Sequence, residues 1–151
     1  MVKTILVATD GSDTAENAAT FAVDLANQLN CSIYAIYVAD AVEYIAGMKI
    51  AEMYLAMRES ILKHIMDEAE AAVKKIEDMA AHKGITCTTE VVKGSDPVKE
   101  IIDAARKKNA DLIVVGSHGK KTSLIDLAIG EIPPKLMAAD LPCPLTIVKP
   151  S

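Results

Sequence analysis

The segment Gly116-Ser117-His118-Gly119 sets two glycines around a hydroxyl and an imidazole, directly after the apolar run Leu112-Ile-Val-Val115. Glycines let a backbone approach an anion closely, and free amide N–H groups can point at it, so the chemistry this spacing offers is phosphate binding. A G-x-x-G on its own does not name a ligand. A second segment, Thr9-Asp10-Gly11-Ser12, follows the apolar run Ile5-Leu-Val-Ala8 and sets a carboxylate among hydroxyls. In an open parallel sheet, ligands bind at the carboxyl ends of strands where the strand order reverses. Strands at Ile5 and Leu112 that were central neighbours would therefore line one crevice with these two loops.

Constellations for dedicated catalysis are not evident. There is no G-x-S-x-G elbow, His64 and His82 have no partner at metal spacing, and Ser12, Ser95 and Ser117 lack an evident base. Cys31, Cys87 and Cys143 are odd in number and far apart, with no C-x-x-C, which indicates neither a disulfide framework nor a zinc site and fits a reducing cytoplasm.

The elements that must hold these loops follow from pattern. The chain has 151 residues, one domain's worth, with 51% hydrophobic and 25% charged residues. Only 3% are aromatic, and the formal net charge is −5. That leaves neither stacking platforms nor a basic footprint, so no nucleic acid is expected as a partner. The apolar run at the N-terminus is too short for a signal sequence or a membrane span, so neither export nor a membrane is expected.

Five strand-length runs alternate with helical stretches, the signature of βαβ units and a parallel sheet. Thr4 to Thr9 and Asp111 to Gly116 have the continuously apolar cores Ile5-Leu-Val-Ala8 and Leu112-Ile-Val-Val115 and should be central. Ser32 to Ala39 is also apolar. Ile85 to Val92 alternates and should lie at an edge, and Leu145 to Lys149, after Pro142 and Pro144, at the other. Asp13 with Glu16 predicts a capping box, followed by a stripe of Ala15, Ala18, Ala19, Ala22, Val23, Ala26 and Leu29. Ser95-Asp96-Pro97 opens a second helix, and Glu59 to His82 reads as a long one stopped by Gly84. Met48, Met53 and Met57 read either as packing or dimer surface or as a flap over a site.

Val2 to Ser12, Ala110 to Gly119 and Pro142 to Lys149, in that order and spacing, together resemble the universal stress protein family over essentially the whole chain. The resemblance implies an α/β fold: a single three-layer, doubly wound domain with an open parallel five-stranded sheet of order 3-2-1-4-5, adenine nucleotide alpha hydrolase-like. It implies a homodimer paired through the last strand, beside the cytoplasmic location expected from the cysteines, and an adenine nucleotide, ATP, ADP or AMP, with magnesium as its companion ion. The implied contacts are Ala8, Thr9 and Asp10 near ribose and base, the backbone of Val38 at the adenine edge, and Gly116, His118, Gly119, Gly130, Glu131 and Ile132 around the phosphates. Asp10 reads equally as a ribose acceptor or as an Asx-turn or cap for the first helix. His118 reads as a loop residue contributing backbone, or as a base.

The nucleotide-binding branch of the family looks like G-x2-G-x9-G-[ST], and Gly116-x2-Gly119 matches its first half. From Gly119 to Gly130 there are ten intervening residues, Lys120 to Ile129, and Glu131 stands where a hydroxyl residue is wanted. A carboxylate beside polyphosphate repels it unless a cation intervenes, and Pro133 and Pro134 remove two backbone donors from the same turn. Two readings therefore stay open: a nucleotide-binding stress-response module, or a dimeric interaction protein that has lost the phosphate site. A receiver-like phosphoacceptor domain is set aside, since Lys93-Gly94 follows the third strand where an aspartate is needed. Slow ATP hydrolysis stays open, because it needs only a bound metal and water.

Overall fold

The computed structural model describes residues 1–47, 54–117 and 132–150. Strands β1 (Thr4–Ala8), β2 (Ser32–Val38), β3 (Cys87–Val92), β4 (Leu112–Gly116) and β5 (Leu145–Val148) form one all-parallel sheet in the order β3-β2-β1-β4-β5. The apolar runs lie inside and the alternating run at an edge, as the patterning requires. Helices α1 (Asp13–Leu29), α2 (Asp40–Ala46), α3 (Leu55–His82), α4 (Pro97–Lys107) and α5 (Ile132–Ala138) join the strands. Among the described residues no helix is long and apolar enough to cross a membrane.

The two sheet faces bury separate clusters. Ile5, Val7, Ile33, Ala35 and Val114 meet Ala18, Ala22 and Ala26 of α1 and Ile76 and Ala80 of α3. Leu6, Ile36, Ile113 and Val115 meet Ile101 and Ala105 of α4 and Leu136 of α5. Alanine on the helices lets them approach closely while branched residues on the strands fill the space, which accounts for a core with so few aromatics. Each fully buried Ile or Leu is worth roughly 1.5–3 kcal/mol relative to exposure.

Helix ends depart from expectation in instructive ways. The N-cap of α1 is Ser12, not Asp13: its Oγ accepts from Ala15 N at 3.2 Å. Asp13 and Glu16 instead lie in the first turn, where carboxylates face the positive end of the helix dipole. Leu29, placed in the apolar stripe by spacing, is 48% exposed, because it is the last helical residue before the chain turns away through left-handed Asn30. Helix α3 starts at Leu55, ahead of the expected Glu59. Its cap is Lys83, and Gly84 follows with φ +69°, so that Gly84 N and Ile85 N close on Ala81 O and Ala80 O. That spends the Ile85 amide on the helix, and β3 accordingly starts at Cys87. Prolines 133 and 134 fall in the first turn of α5, where the missing donors are tolerated.

The strand feeding the site is anchored at its base by Asp111, whose Oδ2 accepts from Lys3 N at 2.8 Å and Thr4 N at 3.1 Å. These amides hold the carboxyl below its ordinary value of 3.8. A depressed folded pKa means that the unfolded chain takes up the proton first as pH falls. The contribution is therefore complete well above pH 3.8 and is lost progressively below it, as pH falls through the lower folded value. Asp111→Asn is expected to cost about 1 kcal/mol at neutral pH and to flatten the acid limb of a urea-midpoint series across pH 3.8. An unchanged acid limb would remove Asp111 from the account.

On the α4 face, Tyr34 of β2 is 3% exposed, and its hydroxyl is buried without a partner among the described residues. The Lys108 ammonium sits 5.2 Å from the ring centroid. Phenylalanine keeps that ring contact and removes an unsatisfied polar atom. Tyr34→Phe is therefore expected to be neutral or stabilising by up to about 1 kcal/mol in denaturant unfolding.

Candidate functional site

The crevice begins where β1 ends. Thr9 N still donates to Ile36 O at 2.9 Å, after which the chain folds on its own side chains: Thr9 Oγ1 accepts from Gly11 N at 3.1 Å and Asp10 Oδ1 from Ser12 N at 2.9 Å. Asp10 thus forms the Asx-turn, and the residue it holds, Ser12, is the cap of α1.

Alternation along β1 sends neighbouring residues to opposite faces. Ala8, Val38 and Ile132 pack against the cluster shared with α4 and α5. Thr9 is turned the other way: 9% exposed, it lines a groove of about 250 Å³ between α1 and α3, with Ser12, Glu16, Lys75, Ile76 and Met79. Across this groove Lys75 Nζ lies 2.8 Å from Glu16 Oε1, a solvent-exposed pair of small energetic weight. The structure therefore places Ala8, Val38 and Ile132 on one face of the sheet and turns the Thr9 side chain to the other.

The second lip is the end of β4. Val7 pairs with Val114, which sets Gly116 opposite Thr9, and Ser117 N continues the ladder to Val148 O at 2.9 Å. Beneath Gly116 lies the first turn of α1. A Cβ at 116 would stand 2.9 Å from Thr14 Cγ2 and 3.0 Å from Thr14 O. The glycine is thus required by helix–strand packing, a role that the phosphate motif alone does not reveal. His118, Gly119, Gly130 and Glu131 lie outside the described residues, as do Met48 and Met53. Met57, on α3, is 61% exposed.

The thiols are not arranged as nucleophiles. Burial, with the Glu77 carboxylate behind it, pushes Cys87 up to about 11, and burial also raises Cys31 and Cys143.

With this geometry in place, comparison with known proteins assigns the family. The universal stress protein family matches residues 1–149. The chain belongs to that family. A curated member, universal stress protein MJ0531 of Methanocaldococcus jannaschii, is 34% identical over 149 residues, covering 99% of this chain and 83% of that protein. Among solved structures, universal stress protein UspA from Lactobacillus plantarum superposes with a TM-score of 0.75 at 25% identity, covering 97% of each chain. Two more distant members share the fold. One is a universal stress protein solved in complex with cAMP (TM-score 0.66, 21% identity, 99% and 98% coverage). The other, from Archaeoglobus fulgidus, was solved in complex with dAMP (TM-score 0.67, 16% identity, 99% and 98% coverage).

Proposed function

We propose that the chain is a stress-response module that binds an adenine nucleotide at the carboxyl ends of β1 and β4. The observation that carries this reading is the pairing of two loops at the strand-order reversal: the Asp10 turn on β1 and the glycine-ended β4 directly beside it. Asp10 would accept a ribose hydroxyl, the backbone at Val38 would meet the base edge, and the glycine motif that starts at Gly116 would approach phosphate. Magnesium bound with the nucleotide would offset the Glu131 carboxylate. Related members solved with cAMP and dAMP support adenine as the base. AMP or ADP is favoured over ATP, since both departures from the family motif fall on the phosphate side.

The same reading takes the chain as a cytoplasmic homodimer paired through β5. Pro144 O and Val148 O face β4, so Leu145 and Ile147 turn their backbone groups to the open edge. All four residues of β5 are half-buried.

A second reading, a dimeric interaction protein without nucleotide, is favoured by the ten-residue spacing and Glu131. The two are separated by denaturing the purified protein and identifying released small molecules by mass spectrometry, together with melting temperatures in ATP, ADP and AMP with magnesium. Released adenine nucleotide or an upward shift supports the first reading. Neither, with all three nucleotides, selects the second.

A further inference from the structure

The groove between α1 and α3 lies on the sheet face away from α4, and nucleotide binding makes no use of it. Contacts between the two helices recur one turn apart: Lys75 Nζ is 2.8 Å from Glu16 Oε1, Thr20 Oγ1 3.8 Å from Met79 Sδ, and Lys83 Nζ 3.3 Å from Asp24 Oδ1. Toward their C-termini these contacts hold the helices together. Toward their N-termini the space of about 250 Å³ opens and ends at Thr9 and Ser12. Its floor is apolar, with Ala19 and Ile76 almost fully buried and Ala72 and Met79 half-buried beside them. Alanine on both helices is what leaves the space open.

The end wall is a pair of hydrogen-bond donors. Thr9, 9% exposed, already uses its oxygen to accept from Gly11 N at 3.1 Å, and Ser12 Oγ accepts from Ala15 N at 3.2 Å. Each hydroxyl keeps an O–H to donate, and no acceptor takes either proton among the described residues. A buried donor left unmatched is costly, so this end of the groove suits an acceptor atom. The charged groups at the rim already have partners: Lys75 has Glu16, and Glu68 Oε1 lies 3.2 Å from His64 Nε2. A charged ligand would have to displace one of these partners, whereas an uncharged one leaves both in place.

We propose that this groove binds a small uncharged aliphatic molecule ending in a carbonyl. Its chain lies on Ala19, Ala72, Ile76 and Met79, and its oxygen accepts from the hydroxyls of Thr9 and Ser12. Ala8, Val38 and Ile132 pack on the opposite face, so the inference goes beyond the nucleotide reading and does not rest on it.

The probe is 2-hexanone, titrated into the isotope-labelled chain and followed by amide chemical shifts, beside hexylamine and hexanoate, which carry a positive and a negative head. Saturable shifts at Thr9, Ser12, Ala72 and Met79 are expected with 2-hexanone. Both charged probes should bind about fivefold more weakly, the worth of a displaced exposed ion pair. Shortening the chain by one methylene, to 2-pentanone, should weaken binding by about fourfold. Thr9→Val should weaken 2-hexanone by about fivefold to tenfold, one hydrogen bond, and Thr9→Ser should restore it. Ala72→Leu fills the floor at a half-buried position and should abolish saturation, which keeps the proposal falsifiable where Thr9→Val costs the turn its Gly11 contact. Charged probes that bind as tightly as 2-hexanone, shifts that are absent or lie elsewhere, or an affinity unchanged by Ala72→Leu would overturn the proposal.

Discussion

Gly116→Ala is expected to lower the unfolding free energy by about 1–3 kcal/mol, the usual cost of forcing a methyl into a packed site. For a domain of this size that is a fall of roughly 3–10 °C in melting temperature. The reason is the absence of anything that can yield. The new Cβ would meet Thr14 Cγ2 at 2.9 Å and, behind it, the Thr14 carbonyl carbon and oxygen at 3.1 and 3.0 Å. The first contact is a side chain, but the other two are backbone of an α1 turn held by Ser12 and Asp10. Adding Thr14→Ser to Gly116→Ala should therefore recover only part of the loss, giving a non-additive pair. A Gly116→Ala protein that melts with the wild type would show that the glycine serves only a bound ligand.

The second large effect separates the two roles of Asp10. Asparagine offers the same acceptor to Ser12 N without the charge, so Asp10→Asn should keep the turn and lie within about 0.5 kcal/mol of wild-type stability. Its nucleotide affinity should nonetheless fall about tenfold, the difference between a charge-assisted and a neutral hydrogen bond. Asp10→Ala loses both and should be destabilised by about 1 kcal/mol as well. If Asp10→Asn binds AMP like the wild type, Asp10 is a turn residue and nothing more.

Most of the fold is written locally. Ile5-Leu-Val-Ala8 and Leu112-Ile-Val-Val115 read as buried on both faces because no polar residue interrupts them, and both strands lie inside the sheet. The mixture of Thr86, Thr88 and Glu90 with Ile85 and Cys87 marks an edge, and β3 is one. Helix caps were less legible, since Ser12, Asp13 and Glu16 all carry capping side chains and spacing does not rank them. The Asx-turn at Asp10 decides, by delivering Ser12 in extended conformation at the helix start.

The site was legible in part. Period-two alternation already separates Thr9 from Ala8 and Asp10, and applied to β1 it would have sent the Thr9 side chain toward α1 and α3. The contact between Thr14 and Gly116 has no local signature, because it joins residues a hundred positions apart that meet only once the sheet and α1 have packed. The glycine spacing that reads as a phosphate motif is, at Gly116, equally a packing requirement.

The central claim is where an adenine nucleotide sits. Titration of isotope-labelled protein with AMP and magnesium, followed by amide chemical shifts, tests it residue by residue. Shifts concentrated at Asp10 to Ser12, Val38 to Ala39, Gly116 and Ser117, with Glu68, Lys75 and Met79 of the α1–α3 groove unmoved, are the predicted result. Shifts confined to that groove, or none at saturating AMP, would contradict it.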